Sequence, residues 1–201
     1  MYFDGAFLQL GKCDVRALRE RVAAIEERAW EEDGRRQRVH SAHIHTQSIC
    51  LLAEADLAHS PAIAAPLFDD FADLLAPIMA SIEAFYAGRA CVREGDGAAK
   101  PGYFCRALLV RLNAGGEIFS HTDQGYSLSR AHRIHVPIVT SERTLFAVAG
   151  VIKHLAAGEI WEINNRKPHA VRNMGPTRIH AVLDYVLPGE VVHDPDGLLH
   201  A

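Results

Sequence analysis

Residues 105–123 read Cys-Arg-Ala-Leu-Leu-Val-Arg-Leu-Asn-Ala-Gly-Gly-Glu-Ile-Phe-Ser-His-Thr-Asp. An apolar run covers 105–112, Gly115 and Gly116 supply a turn, and a second short run covers 117–121. Short runs bounded by glycine turns predict antiparallel strands. The pattern continues downstream at 133–139, 144–148, 159–163, 169–173 and 178–187. Gly158, Asn164-Asn165 and Gly175-Pro176 punctuate it. No helical stretch intervenes, so residues 103–187 predict a jelly roll of roughly eight strands.

The first hundred residues have a different period. Val15, Leu18, Val22, Ile25 and Ala29 recur at three- and four-residue steps, with Asp14 placed to cap the helix and Gly34 to end it. After Pro61, a second helical face is formed by Leu67, Phe71, Leu74, Leu75, Ile78, Ile82 and Phe85. Pro77 lies inside that pattern and predicts a break or kink near Ala76. A short strand is expected at 48–52, and the turn-rich stretch 93–102 predicts a loop. The expected organisation is one domain over 1–201. Residues 1–100 form a mostly helical support region packed on one side of a jelly-roll core at 103–187. The fold class is mainly β with N-terminal helices.

Bulk composition removes several function classes. The formal net charge is −4, which offers no global basic field for nucleic acid or an anionic membrane. No apolar run approaches the ~18 residues of a membrane helix. The N-terminus lacks the basic and apolar regions of a signal peptide. The four cysteines (Cys13, Cys50, Cys91, Cys105) form no CxxC pair and suit reduced thiols. A cytoplasmic location is expected. Neither a Gly-x-Ser-x-Gly elbow nor a P-loop is present, so hydrolase and nucleotide-triphosphate chemistries lack a motif.

The chain has 12 histidines. His121 and Asp123 follow a candidate strand two positions apart, so both side chains face one side. His169 opens a later candidate strand. Two histidines and a carboxylate that leave open positions are the ligand set of non-haem Fe(II) oxygenases. Taken alone, the His-x-Asp pair also fits a solvated loop histidine beside a capping aspartate. Along 178–184, Ile179, Ala181 and Leu183 share one face, and Arg178, His180 and Asp184 the other. Arg178 is either a surface arginine at a strand edge or a two-pronged donor to a carboxylate. Arg133 and His135 likewise oppose Ile134, Val136 and Ile138. If their face points inward, the buried charge requires an anionic partner, and a small dianion such as 2-oxoglutarate would serve.

As an ordered set, these segments resemble the aspartyl/asparaginyl β-hydroxylase family of 2-oxoglutarate- and Fe(II)-dependent dioxygenases. The resemblance spans roughly residues 105–187. It runs through the segments 109–118, 121–123, 133–138, 158–165, 169–173 and 178–180 and closes at Asp184, with a looser match at 45–49. It implies a double-stranded β-helix, the cupin-like jelly-roll variant. It implies that His121 and His169 bind iron and that Arg178 pairs with the far carboxylate of 2-oxoglutarate. It also implies that Arg133 and His135 lie near the metal-bound end of that cosubstrate. Animal members lack the carboxylate ligand, whereas Asp123 is present here, so the chain looks more like the bacterial amino-acid and proline hydroxylases. The reaction expected is dioxygen-dependent hydroxylation of a C–H bond. The substrate would be an amino acid, an amino-acid derivative, or an aspartyl, asparaginyl or prolyl residue of a short peptide. No nucleic-acid or membrane partner is expected, and the oligomeric state is left open. Two other classes share parts of the pattern. One is a cupin-type metal enzyme that does not use 2-oxoglutarate and needs no Arg178. The other is a non-catalytic jelly-roll binding module.

Further residues have weaker signals. Arg106 either faces the cavity and binds a substrate carboxylate or lies on the surface. Tyr126 and Gln124, just after the His-x-Asp turn, are candidate mouth residues. His40, His43 and His45 are expected to be solvated or substrate-facing and not a second metal site. Phe146 and Trp161 are expected in the core.

Overall fold

A computed structural model of the chain describes residues 3–32, 41–54, 62–87, 102–123, 128 and 131–188. In chain order the elements are β1 (Phe7–Lys12), α1 (Arg16–Ala23), α2 (Glu27–Glu32), a 3-10 turn (Ser41–His43), β2 (Thr46–Ala53), β3 (Ile63–Ala64) and α3 (Ala72–Ala87). There follow β4 (Tyr103–Leu112), β5 (Glu117–His121), β6 (His132–Val139), β7 (Thr144–Val148), β8 (Val151–Lys153), β9 (Glu159–Ile163), β10 (His169–Asn173) and β11 (Arg178–Val186). The strands form two sheets, in the orders β1-β9-β6-β11-β4-β2-β3 and β5-β10-β7-β8, and pair antiparallel throughout. This is the double-stranded β-helix.

Side-chain alternation sets the layers. On the larger sheet, Ile134, Val136, Ile160, Ala181 and Leu183 turn outward onto the helices and meet Leu18, Val22, Leu75, Ile78 and Ile82. The opposite face meets the smaller sheet, where Leu112, Ile118, Phe146 and Val171 pack together. Strands such as β6 are therefore buried on both faces. A polar strap ties α3 to the sheet: the Tyr86 hydroxyl donates to Glu162, whose other oxygen lies 2.7 Å from Nδ1 of His132. Gly158, at φ +79°, lets the turn before β9 pass Cys13, and a Cβ there would strike the Cys13 carbonyl.

Several expectations need correction. The first hundred residues do more than support. β1 pairs with β9, and β2 pairs with β4, so both extend the larger sheet at its flanks. α3 continues through Pro77 without a break. Pro77 costs one backbone hydrogen bond, but Leu75, Ile78, Ile82 and Tyr86 are anchored in the core on both sides of it. The first helix is two. A bend after Ala24 lets α1 bury Leu18 and Val22 while α2 brings Trp30 inward beneath the Arg111 guanidinium. Val15 occupies the N-cap, and Asp14 accepts the Arg16 backbone N–H at 2.9 Å. Gly34 and most of the 93–102 loop lie outside the described residues. Among the described residues, no helix is long and apolar enough to cross a membrane.

Candidate active site

β5 and β10 pair with His121 directly across from His169. Both rings project into the space between the sheets, with centroids 4.3 Å apart. Asp123 follows the end of β5 and is held in place by Asn165 from the turn before β10. The Asp123 N–H donates to the Asn165 carbonyl at 3.0 Å, and Asn165 Nδ2 donates back to Asp123 Oδ2 at 3.1 Å. Nε2 of His121 and of His169 lie 3.7 and 3.9 Å from Asp123 Oδ1. Among the described residues these three form the group able to hold a metal ion, with ligand atoms within 4.8 Å of one another.

The tautomers suit that task. Nδ1 of His121 is 2.7 Å from the Phe119 carbonyl, and Nδ1 of His169 is 3.0 Å from the Lys167 carbonyl. A carbonyl only accepts, so each Nδ1 carries the proton and each Nε2 lone pair faces Asp123 Oδ1. Two neutral imidazole nitrogens and one carboxylate oxygen fit a divalent transition ion that keeps open positions. Burial lowers the His169 pKa, against the opposing pull of Asp123. That keeps its imidazole neutral, as a ligand must be.

His121 and His169 line a cavity of about 400 Å³, mouth included, together with His43, Arg133, His135, Phe146 and Arg178. Arg178 opens β11 and is 1% exposed, with its guanidinium carbon 5.2 Å from the Phe146 ring centre. It is thus a cavity arginine and not a surface one. Arg133 and His135 also face inward, as alternation predicts. Arg133 meets protein carboxylates there. Its Nε and Nη2 donate to Asp184 at 2.9 and 2.8 Å, and its Nη1 donates to Asp123 Oδ2 at 2.6 Å. Burial alone would raise the Asp184 carboxyl, but Arg133 and then Arg106 outweigh it and hold the group well below the usual carboxylate range. Arg106 extends this network, donating to Asp184 at 2.5 Å and to Glu54 at 3.4 Å. The carboxylates that Arg106 meets are therefore the protein's own, and it is not on the cavity wall. Tyr126 and Gln124 lie outside the described residues.

A model of the aspartyl/asparaginyl β-hydroxylase family matches residues 96–188, the stretch that carries β4 to β11 and every residue just described apart from His43 and Glu54. Residues 96–188 are thus similar to the aspartyl/asparaginyl β-hydroxylase family. That likeness fits the 2-oxoglutarate- and Fe(II)-dependent dioxygenase reading of the sequence. Solved structures agree in fold. An oxidoreductase of the 2OG-Fe(II) oxygenase family from Burkholderia pseudomallei is 14% identical, with 78% of each chain covered at a TM-score of 0.54. ThoJ, a non-heme monooxygenase solved as a nickel complex, is 15% identical over 95% of this chain and 81% of its own, at 0.53. HygX from Streptomyces hygroscopicus, solved with nickel and 2-oxoglutarate bound, is 14% identical over 90% of this chain and 83% of its own, at 0.52. Among curated protein sequences there is no match.

Some residues in and around the cavity had little or no signal in the sequence. Asn165 read as turn punctuation, yet its side chain holds Asp123. Phe146, expected as plain core, is buried but also forms cavity wall beneath Arg178. Trp161 is only half-buried and donates to Glu159. Of the three N-terminal histidines, His43 reaches the cavity, its ring 5.0 Å from that of His121. His45 is bound to the Glu117 backbone, and His40 lies outside the described residues.

His135 and His180 are both buried, and among the described residues none of their ring nitrogens has a hydrogen-bond partner. Burial first, then the charge of Arg178, pushes both well below the usual imidazole value of 6.5. A depressed histidine favours folding above the unfolded value, and that contribution is lost as pH falls through and below it. The metal-free protein should therefore hold a constant urea midpoint above about pH 7 and lose stability from about pH 6.5 downward, by up to ~1.4 kcal/mol per pH unit for each histidine. His180→Gln should make the acid slope shallower by about one proton. A wild-type midpoint that stays flat down to about pH 5 contradicts this.

Proposed function

We propose that the protein hydroxylates a C–H bond of a free amino acid, an amino-acid derivative, or an aspartyl, asparaginyl or prolyl residue in a short peptide. We further propose that His121, Asp123 and His169 hold its iron. The observation that carries this is the convergence of these three side chains on one another, with both imidazoles and a fully buried arginine lining one cavity. Bound there, Fe(II) supplies the activation of dioxygen coupled to oxidation of 2-oxoglutarate to succinate and carbon dioxide.

The chain contributes binding, aim and dryness. The backbone carbonyls of Phe119 and Lys167 fix the two imidazoles, and Asn165 fixes the carboxylate. Arg178 offers a planar two-pronged donor to the far carboxylate of 2-oxoglutarate, and the Phe146 ring holds that guanidinium in plane. His135, kept neutral, can donate one N–H or accept one without adding charge. Val110, Ile118, Val171 and Val182 exclude water from the space between. His43 stands beside His121 on the cavity wall, where it can face the substrate. The free thiols of Cys13, Cys50 and Cys105 fit a reducing compartment, which supports a cytoplasmic location.

The test is succinate formation from 2-oxoglutarate with Fe(II) and ascorbate, screened over amino acids and short aspartyl, asparaginyl and prolyl peptides. Substrate-dependent succinate with a matching hydroxylated product is expected. Failure of the iron-loaded protein to bind 2-oxoglutarate would overturn the proposal.

A further inference from the structure

The two oxygens of Asp123 have different surroundings. Oδ1 is the atom that faces both Nε2 nitrogens. Oδ2 accepts from Arg133 Nη1 at 2.6 Å and from Asn165 Nδ2 at 3.1 Å. An oxygen with two donors in place, one of them charged, has its lone-pair directions committed. The guanidinium is itself fixed. Arg133 and Asp184 lie directly across from each other between β6 and β11, and the two-pronged bond between them sets the plane of the guanidinium. Arg106 then holds Asp184 from its other side.

We propose that Arg133, oriented by Asp184 and seconded by Asn165, is a positioning residue that keeps Asp123 a one-oxygen metal ligand. This rests on the metal site proposed above. Its consequence follows from counting donors. An octahedral ion with two imidazoles and one carboxylate oxygen retains three positions, enough for a two-point diacid chelate and dioxygen. A carboxylate can also bind a cation through both oxygens. Asp123 bound that way would take one of those three positions. Arg133 prevents this by occupying Oδ2, and Asp184 prevents Arg133 from swinging into the cavity as a loose cation.

The probe is Mn(II) alone, added to the full-length protein without 2-oxoglutarate. Deuterium spin-echo EPR in D2O counts the waters bound to the metal. Wild type should show three. Arg133→Met should show two, because Oδ2 has lost its charged donor, while Arg133→Lys, which keeps one, should restore three. In a separate titration, 2-oxoglutarate affinity for the Mn(II) protein should fall roughly 10- to 100-fold in Arg133→Met and recover with lysine. If Arg133→Met does not fold, Arg133→Met/Asp184→Leu removes both charges together and carries the same water count. A wild-type count of two, or three waters in the methionine variants, overturns the proposal and leaves Arg133 a direct cosubstrate contact. Wild-type protein that takes up no Mn(II) at all overturns the metal site itself, a result separate from any change in water number.

Discussion

His169→Ala is expected to lower the affinity for Fe(II) or Mn(II) by at least about 100-fold and to abolish 2-oxoglutarate turnover. His169 supplies the only one of the three candidate ligands that lies beyond β6 in sequence, and it is 6% exposed with Nδ1 already bound to Lys167. Among the described residues, no fourth side chain belongs to the group of possible metal ligands. His43 also lies on the cavity wall, its ring against that of His121 with centroids 5.0 Å apart. The check is a metal titration under anaerobic conditions, with far-UV circular dichroism to confirm that the variant is folded. Affinity close to wild type in a folded His169→Ala protein would place the metal elsewhere.

Arg178→Met should have the second largest effect, and on a different quantity. The 2-oxoglutarate requirement should rise by roughly 30-fold to a few thousand-fold, the loss expected when one partner of a buried charge pair is removed, ~2–5 kcal/mol. Metal affinity without cosubstrate should stay at the wild-type level, because the candidate ligand atoms belong to His121, Asp123 and His169. Methionine is chosen because it keeps length and packs against Phe146, so that the cavity wall is retained. Measuring succinate formation against 2-oxoglutarate concentration separates this from a folding defect, since maximal turnover at saturating cosubstrate should survive better than affinity. Unchanged cosubstrate dependence would remove Arg178 from the site. Together the two variants separate holding the metal from holding the diacid.

Much of the jelly roll was legible because its strands are short, alternating and bounded by glycine or asparagine turns. β5, β7, β9 and β10 fall at the expected residues, and β4, β6 and β11 within two. β1, β3 and β8 were not anticipated. β8 is three residues with two of them exposed, and β3 is two exposed residues, so neither is long enough to show the alternation that signals a strand. β1 alternates weakly, with Leu10 its one buried residue, because it lies at the edge of the larger sheet. Pro77 misled for the opposite reason. The local cost of proline was readable, but the burial of Leu75, Ile78 and Ile82 that outweighs it is a tertiary quantity.

What the sequence determined by itself was membership of a face. Alternation put Arg133 with His135 and put Arg178 with His180 and Asp184, and the His-x-Asp spacing put His121 beside Asp123, because side chains two apart in a strand must point the same way. Which strand lies alongside which was decided only on folding. The register that sets Arg133 across from Asp184 turned a candidate cosubstrate cation into one held by the protein's own carboxylates. The register that sets His169 across from His121 brought the third ligand to the other two. Periodicity is a property of one strand, whereas a charge finds its partner across two, and pairing between strands is not written in the period of either.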